Sequence, residues 1–149
     1  MKRAAPLLAL ALLACTAAAS APESPAPASP QAEKGCGDFL AQAGRKPANL
    51  DYAGCSYASD RQGKPLVATY RVAGSHAAAV EAYLVRTVKL NRLKHACCQW
   101  DSPASQFRDR KGREYSVTMV SGETLVSRRA DWAKIPSFEV TVETFTEEI

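Results

Sequence analysis

With only two histidines in 149 residues and no Cys-x-x-Cys, Gly-x-Ser-x-Gly or Ser-x-x-Lys, the chain lacks the usual starting points of redox and hydrolytic enzymes. A glycine-rich phosphate loop is missing too, which leaves nucleotide chemistry without a cradle. Long apolar runs are absent. The longest, Ala4 to Ala14, is interrupted at Pro6 and falls short of the about 20 residues that span a bilayer. Charge of one sign is also scarce: setting aside Lys2 and Arg3 of the leader takes 19 basic residues to 17 against 15 acidic ones, a net charge of +2 instead of +4. That is no basis for a nucleic-acid partner, which calls for a concentrated basic face.

What is present begins with an address. MKRAAPLLALALLACTAAAS has a basic start, a short apolar stretch and small residues after it, the plan of a secretory signal. Leu12-Leu13-Ala14-Cys15 resembles the lipobox of bacterial lipoprotein precursors. The resemblance implies cleavage after residue 14 and acylation of Cys15, and Thr16 in the following position implies export to the outer membrane. Two or more acyl chains give a stable anchor where one is marginal. The alternative is an ordinary signal peptide cut at a nearby alanine, giving a soluble periplasmic or secreted product. Residues 16–34, TAAASAPESPAPASPQAEK, contain no aromatic and no branched aliphatic residue and so cannot build a core. At about 3 Å per residue in extended form they reach roughly 50 Å. The expected organisation is therefore a signal peptide at 1–14, a lipidated cysteine with its Pro/Ala/Ser-rich tether at 15–34, and one globular domain at 35–149.

Within the domain, Asp38 to Gly44 reads as a short helix stopped by Gly44 and Pro47. Leu50 to Tyr57 and Leu66 to Val72 form a predicted hairpin, the second strand alternating Leu66, Ala68, Tyr70 and Val72 with Val67, Thr69 and Arg71. Ser75 reads as the N-cap of the main helix, in which Val80, Tyr83, Leu84 and Val88 recur at helical spacing toward Leu90 or Asn91. HACCQW, His95 to Trp100, is expected as a strand. Asp109-Arg110-Lys111-Gly112 signals a hairpin before Tyr115, Val117 and Met119. Trp132 falls in a single helical turn, and Phe138, Val140 and Val142 alternate along a final strand. The pattern predicts an α+β fold: a mostly antiparallel sheet of about five strands, with the main helix and the short N-terminal helix packed on one face and disulfides bracing it.

The cysteines carry the most chemistry. With Cys15 assigned to lipid, Cys36, Cys55, Cys97 and Cys98 remain, an even number for an oxidising compartment, and disulfides are the expectation. Of three connectivities, the one joining Cys97 to Cys98 closes a tight ring that distorts the peptide between them. On a strand the two side chains leave opposite faces, so Cys36 and Cys55 are their expected partners, in an order left open. A link from Cys36 to this strand closes a loop of about 60 residues, worth roughly 4 kcal/mol in the chain-entropy account. Zinc is not expected, because adjacent thiolates lack the gap that lets two of them bind one ion, and no residue pattern calls for a cofactor.

Other candidates are binding residues. Trp100 and Trp132 are large aromatics of the kind that anchor partners or stack on sugars, although a tryptophan in a small domain is more often core. Arg108 and Arg110 belong to a basic run with Lys111 and Arg113, a pattern that most often marks a solvated face.

RQGKPLVATYRV (Arg61 to Val72), NRLKHACCQWDSP (Asn91 to Pro103) and VETFTEEI (Val142 to Ile149) resemble segments of a family of small exported Gram-negative proteins known only as a domain of unknown function. The resemblance, over Cys36 to Ile149, implies one compact domain with the four cysteines as its framework and supplies no catalytic residues. The expectation for function is a non-enzymatic envelope lipoprotein with a periplasm-facing domain that binds another envelope protein or a glycan, as an inhibitor or assembly accessory, and touches the membrane only through its lipid. Two alternatives stay open. One is an envelope thiol or redox protein using Cys97 or Cys98; the other is a glycan or small-ligand binder using Trp100, Trp132 and nearby arginines.

Overall fold

The computed structural model describes residues 35–148, so the leader, Cys15 and the tether lie outside the described residues. The chain enters at α1 (Phe39–Gln42), a single turn whose N-cap, Asp38, accepts the Ala41 N–H through its carboxylate at 3.0 Å. Phe39 and Leu40 are fully buried, and the Leu40 N–H donates to the Tyr70 hydroxyl, which pins this turn to the sheet.

Strands β1 (Asp51–Tyr57) and β2 (Leu66–Ala73) form the expected hairpin. Helix α2 (Gly74–Val88) then starts two residues earlier than Ser75 as N-cap predicts. Ala73 occupies the N-cap with no side-chain hydrogen bond, and Gly74 is the first helical residue. A Cβ at Gly74 would collide with the backbone carbonyl oxygens of Trp132 and Ile135, so close approach rather than capping chemistry sets this junction. The helix buries Ala77, Val80, Leu84 and Val88 along one stripe and ends at Lys89, whose left-handed backbone closes the last turn.

The rest of the chain supplies β3 (Lys94–Ala96), β4 (Gln99–Asp101), β5 (Ser105–Arg108), β6 (Glu114–Ser121), a 3-10 helix at Arg129–Lys134 and β7 (Ser137–Thr144). Among the described residues, seven strands make one sheet in the order β1-β2-β7-β6-β4-β3, with β5 also pairing β6, and every pairing is antiparallel. The α+β class is as expected. The strand count is higher because HACCQW is a hairpin of two short strands instead of one strand, and because β5 is only four residues long.

One face of the sheet carries the core. Tyr70, Val140 and Met119 lie in register across β2, β7 and β6, as do Ala68, Val142 and Val117, and all six are buried. α2 packs against this side, contacting β2, β7 and β5. The opposite face repeats small and polar residues, among them an in-register row Thr69, Thr141 and Thr118. This alternation is what a sheet with one covered side requires.

Candidate functional site

Three groups of side chains have the chemistry to matter: a buried ion pair behind the sheet, a basic cleft beside α1, and the cysteines. At the first, Glu81 on α2 is only 2 % exposed, yet each of its carboxylate oxygens has a partner. Oε1 accepts the Leu93 N–H at 2.9 Å and Oε2 accepts from Arg129 at 2.5 Å, while the same guanidinium donates to the Leu93 carbonyl oxygen at 2.7 Å. Arg129 lies over the Trp132 ring at 4.4 Å and the Trp100 ring at 5.3 Å. The two indoles meet edge to face at 5.1 Å. With the buried carboxylate met by a guanidinium that reaches in from the partly exposed Arg129, this cluster clamps α2, the 3-10 helix and the approach to β3 together.

That placement corrects the reading of the tryptophans as surface anchors. Trp100 is 6 % and Trp132 2 % exposed, so neither face is open to a sugar ring. The Trp100 indole N–H donates to the Val126 carbonyl oxygen. Trp132 Nε1 and His95 Nε2 are buried with no hydrogen-bond partner among the described residues.

The second group lies where the end of α1 faces the β5–β6 turn. Ala41 to Gly44 form one wall and Asp109 to Arg113, with Tyr115, the other, around an open cleft of about 820 Å3. The sequence folds this way because Asp109 organises the turn. Its Oδ1 accepts the backbone N–H groups of Lys111 at 2.8 Å and Arg113 at 3.0 Å, its Oδ2 accepts the Tyr115 hydroxyl, and Gly112 takes the left-handed position at φ +84°. Desolvation pushes the Asp109 carboxyl up, but the N–H groups of Arg113 and Lys111 and the Tyr115 hydroxyl outweigh it and hold it below the usual carboxylate range. The one carboxylate in the cleft is thus committed to the turn. Arg110, Lys111 and Arg113 are exposed around it, and among the described residues none of them has a carboxylate within ion-pair distance. Arg108, the other predicted arginine, does not line the cleft; it pairs with Glu114 across β5 and β6 at 2.5 Å.

The third group revises the cysteine framework. Cys36 and Cys55 are bonded to each other, with Cα atoms 5.6 Å apart, while Cys97 and Cys98 are free. The expected links from Cys36 and Cys55 to Cys97 and Cys98 do not form, for a topological reason. Cys55 sits on the edge strand β1, and β4 is four strand spacings away, roughly 19 Å at about 4.8 Å per step. A disulfide tolerates about 7 Å between Cα atoms. Nor do the two cysteines lie on a strand. Ala96 pairs with Gln99, so Cys97 and Cys98 are the two corner residues of the β3–β4 hairpin, and Cys97 has φ +53°. A positive φ at the first corner residue alone is the II′ pattern, where glycine is favoured; a side chain there costs roughly 1–2 kcal/mol. Their sulfurs stand 2.8 Å apart, Cys97 exposed and Cys98 half-buried. Nothing local in the sequence announces this turn, since neither corner residue is Gly, Asn or Asp.

The fold and its sites define a small α+β domain braced by one disulfide, with a polar cleft and an exposed cysteine pair. Residues 24–100, just over half the chain, match the family described as a domain of unknown function, DUF4952, and the chain belongs to it. The match takes in all four cysteines of the domain and ends within β4, although β2 pairs with β7 far outside it. No curated protein and no solved structure matches the chain. Among the described residues no group of three His, Cys, Asp or Glu side chains is placed to hold a metal ion, and no helix is long and apolar enough to cross a membrane.

Proposed function

We propose that the chain is a non-enzymatic binding module of the cell envelope, held at the outer membrane by acylated Cys15 and the tether of residues 15–34, whose domain docks on an acidic surface of another envelope protein as an inhibitor or assembly accessory. The observation that carries this reading is the charge state of the cleft. Arg110, Lys111 and Arg113 face the single carboxylate of Asp109, which stays ionised and is held by the turn, so the concave surface keeps a net positive charge. Such an arrangement steers and orients an anionic partner. A protein is favoured over a glycan because the two tryptophans that would stack on sugar are in the core. Cross-linking in intact envelopes, followed by pull-down, should recover a saturable protein partner that is lost when Arg110 and Lys111 are both changed to Glu. Recovery of lipoprotein-processing factors and phospholipid alone, or of glycan in place of protein, contradicts the proposal.

A second reading, an envelope thiol protein, is supported by one specific observation: Cys97 and Cys98 sit unbonded at a surface corner with their sulfurs side by side. It predicts a reactive thiol in the folded protein.

A further inference from the structure

We infer that Cys97 and Cys98 are a reversible dithiol site that closes into a disulfide between neighbouring residues across the β3–β4 corner, taking as its substrate the disulfide bond of a small thiol or of another protein. The inference rests on the thiol reading and is independent of the docking cleft.

Position in the fold carries the argument. Had these residues occupied a strand, their side chains would diverge to opposite faces, and each would need a distant partner. The corner removes that divergence: with φ +53° at Cys97 both sulfurs leave the hairpin on the same side and already touch. Distance leaves no competitor, since the other two cysteines of the domain are joined to each other at the far edge of the sheet. The corner is also held from behind, because the Cys98 carbonyl oxygen accepts the Thr124 N–H at 2.6 Å. The geometry that costs an ordinary residue conformational energy is therefore fixed before the sulfurs react, a use of backbone strain known at functional sites.

The order of events follows from exposure. Cys97 is the outer thiol and meets the incoming disulfide first; Cys98 is half-buried, and its thiol is pushed up chiefly by its hydrogen bond to Cys97, which suits it to the second step. The Cys97 thiolate attacks one sulfur of the incoming disulfide, the other sulfur departs as a thiolate, and it takes up a proton from solvent. Cys98, deprotonated, then attacks Cys97 Sγ and expels the second sulfur, which is protonated in turn. Two S–H bonds of the protein and one S–S bond of the oxidant become one S–S bond of the protein and two S–H bonds of the oxidant. A monothiol reductant reverses the sequence.

Trypsin makes the test unambiguous. Both cysteines fall in one peptide, His95 to Arg108, whereas Cys36 and Cys55 fall in Gly35 to Arg45 and Lys46 to Arg61. The full chain, reduced gently enough to leave Cys36–Cys55 intact, is treated with oxidised glutathione, quenched in acid, alkylated and digested without reductant. The expected result is an unalkylated His95–Arg108 peptide lighter by two hydrogens than its reduced form, with Gly35–Arg45 still joined to Lys46–Arg61. Cys98→Ser should instead stop at a stable glutathione adduct on Cys97, which shows the trapped first step. If the peptide carries two alkyl groups, or glutathione that the wild type retains, the thiols react but do not close; the inference fails while the thiol reading survives. If no reagent modifies either residue in the folded protein, or the peptide is joined to a Cys36 or Cys55 peptide, both fail.

Discussion

Glu81 Oε2 and the Arg129 guanidinium meet at 2.5 Å behind the sheet, across 48 positions of sequence, and the Leu93 backbone is bound by both residues. Removing Arg129 leaves the buried Glu81 carboxylate only the more distant, exposed Arg92, 3.9 Å from Oε2. Arg129→Ala should lower stability by about 3–5 kcal/mol, toward the lower figure because the arginine is partly exposed. Glu81→Gln keeps an acceptor for the Leu93 N–H and should cost less, about 1–3 kcal/mol. Urea unfolding followed by tryptophan fluorescence checks both, since Trp100 and Trp132 are the rings over which Arg129 lies. Equal effects of the two substitutions would contradict this account of the cluster.

The Cys36–Cys55 bond spans 19 positions and ties the segment before α1 to the edge strand β1. Replacing both cysteines with alanine should cost about 3 kcal/mol, the value for a closed loop of this size. Strong reductant should destabilise the natural protein by the same amount and leave the double variant unaffected. Replacing only Cys97 and Cys98, each by serine, keeps a side chain at the strained corner and should leave stability within about 0.5 kcal/mol of the natural protein.

Two groups near α1 predict how stability changes at the extremes of pH. Partial burial pushes the Asp38 carboxyl up, but hydrogen bonds from Lys46, the Ala41 N–H and Tyr70 outweigh it, and the group ends below its ordinary value. A carboxyl lowered in the folded state contributes stability that is complete above its unfolded value, about pH 3.9, and is lost as pH falls through the folded one. Tyr70 is the opposite case: burial raises its hydroxyl well above the ordinary range. Its contribution is complete below about pH 10 and is lost as pH rises from there. In unfolding midpoints measured against pH, Asp38→Asn should flatten the acid limb and Tyr70→Phe the alkaline limb. A variant that shifts the whole curve without changing its limb would refute the assignment.

Much of the fold is legible in the sequence because its central elements follow single physical rules. β2, β6 and β7 alternate buried and more exposed positions over eight residues each, with mostly apolar side chains at the buried ones, as a sheet with one covered face demands. The Trp132 turn and the Asp109–Gly112 hairpin were readable from local composition. What was hidden is what depends on contacts distant in sequence. Ser75 looks like a cap, but the packing of Gly74 on the 3-10 helix decides where α2 begins. Parity of the cysteines suggested two long-range links, yet only strand order, with β1 and β3 at opposite edges, shows that Cys55 and Cys97 cannot meet. The candidate site is half visible: charge marks Arg110, while the holding of Asp109 in its own turn, with Arg110, Lys111 and Arg113 exposed around it, is a property of the folded loop.

The most direct test of the proposed docking surface is an amide chemical-shift titration of the full chain with an acidic probe, a short polyglutamate peptide. The account predicts salt-sensitive shifts confined to Ala41–Gly44 and Asp109–Arg113, abolished by the Arg110→Glu, Lys111→Glu variant. Shifts centred on the Thr69–Thr141–Thr118 row, or none at low ionic strength, would contradict it.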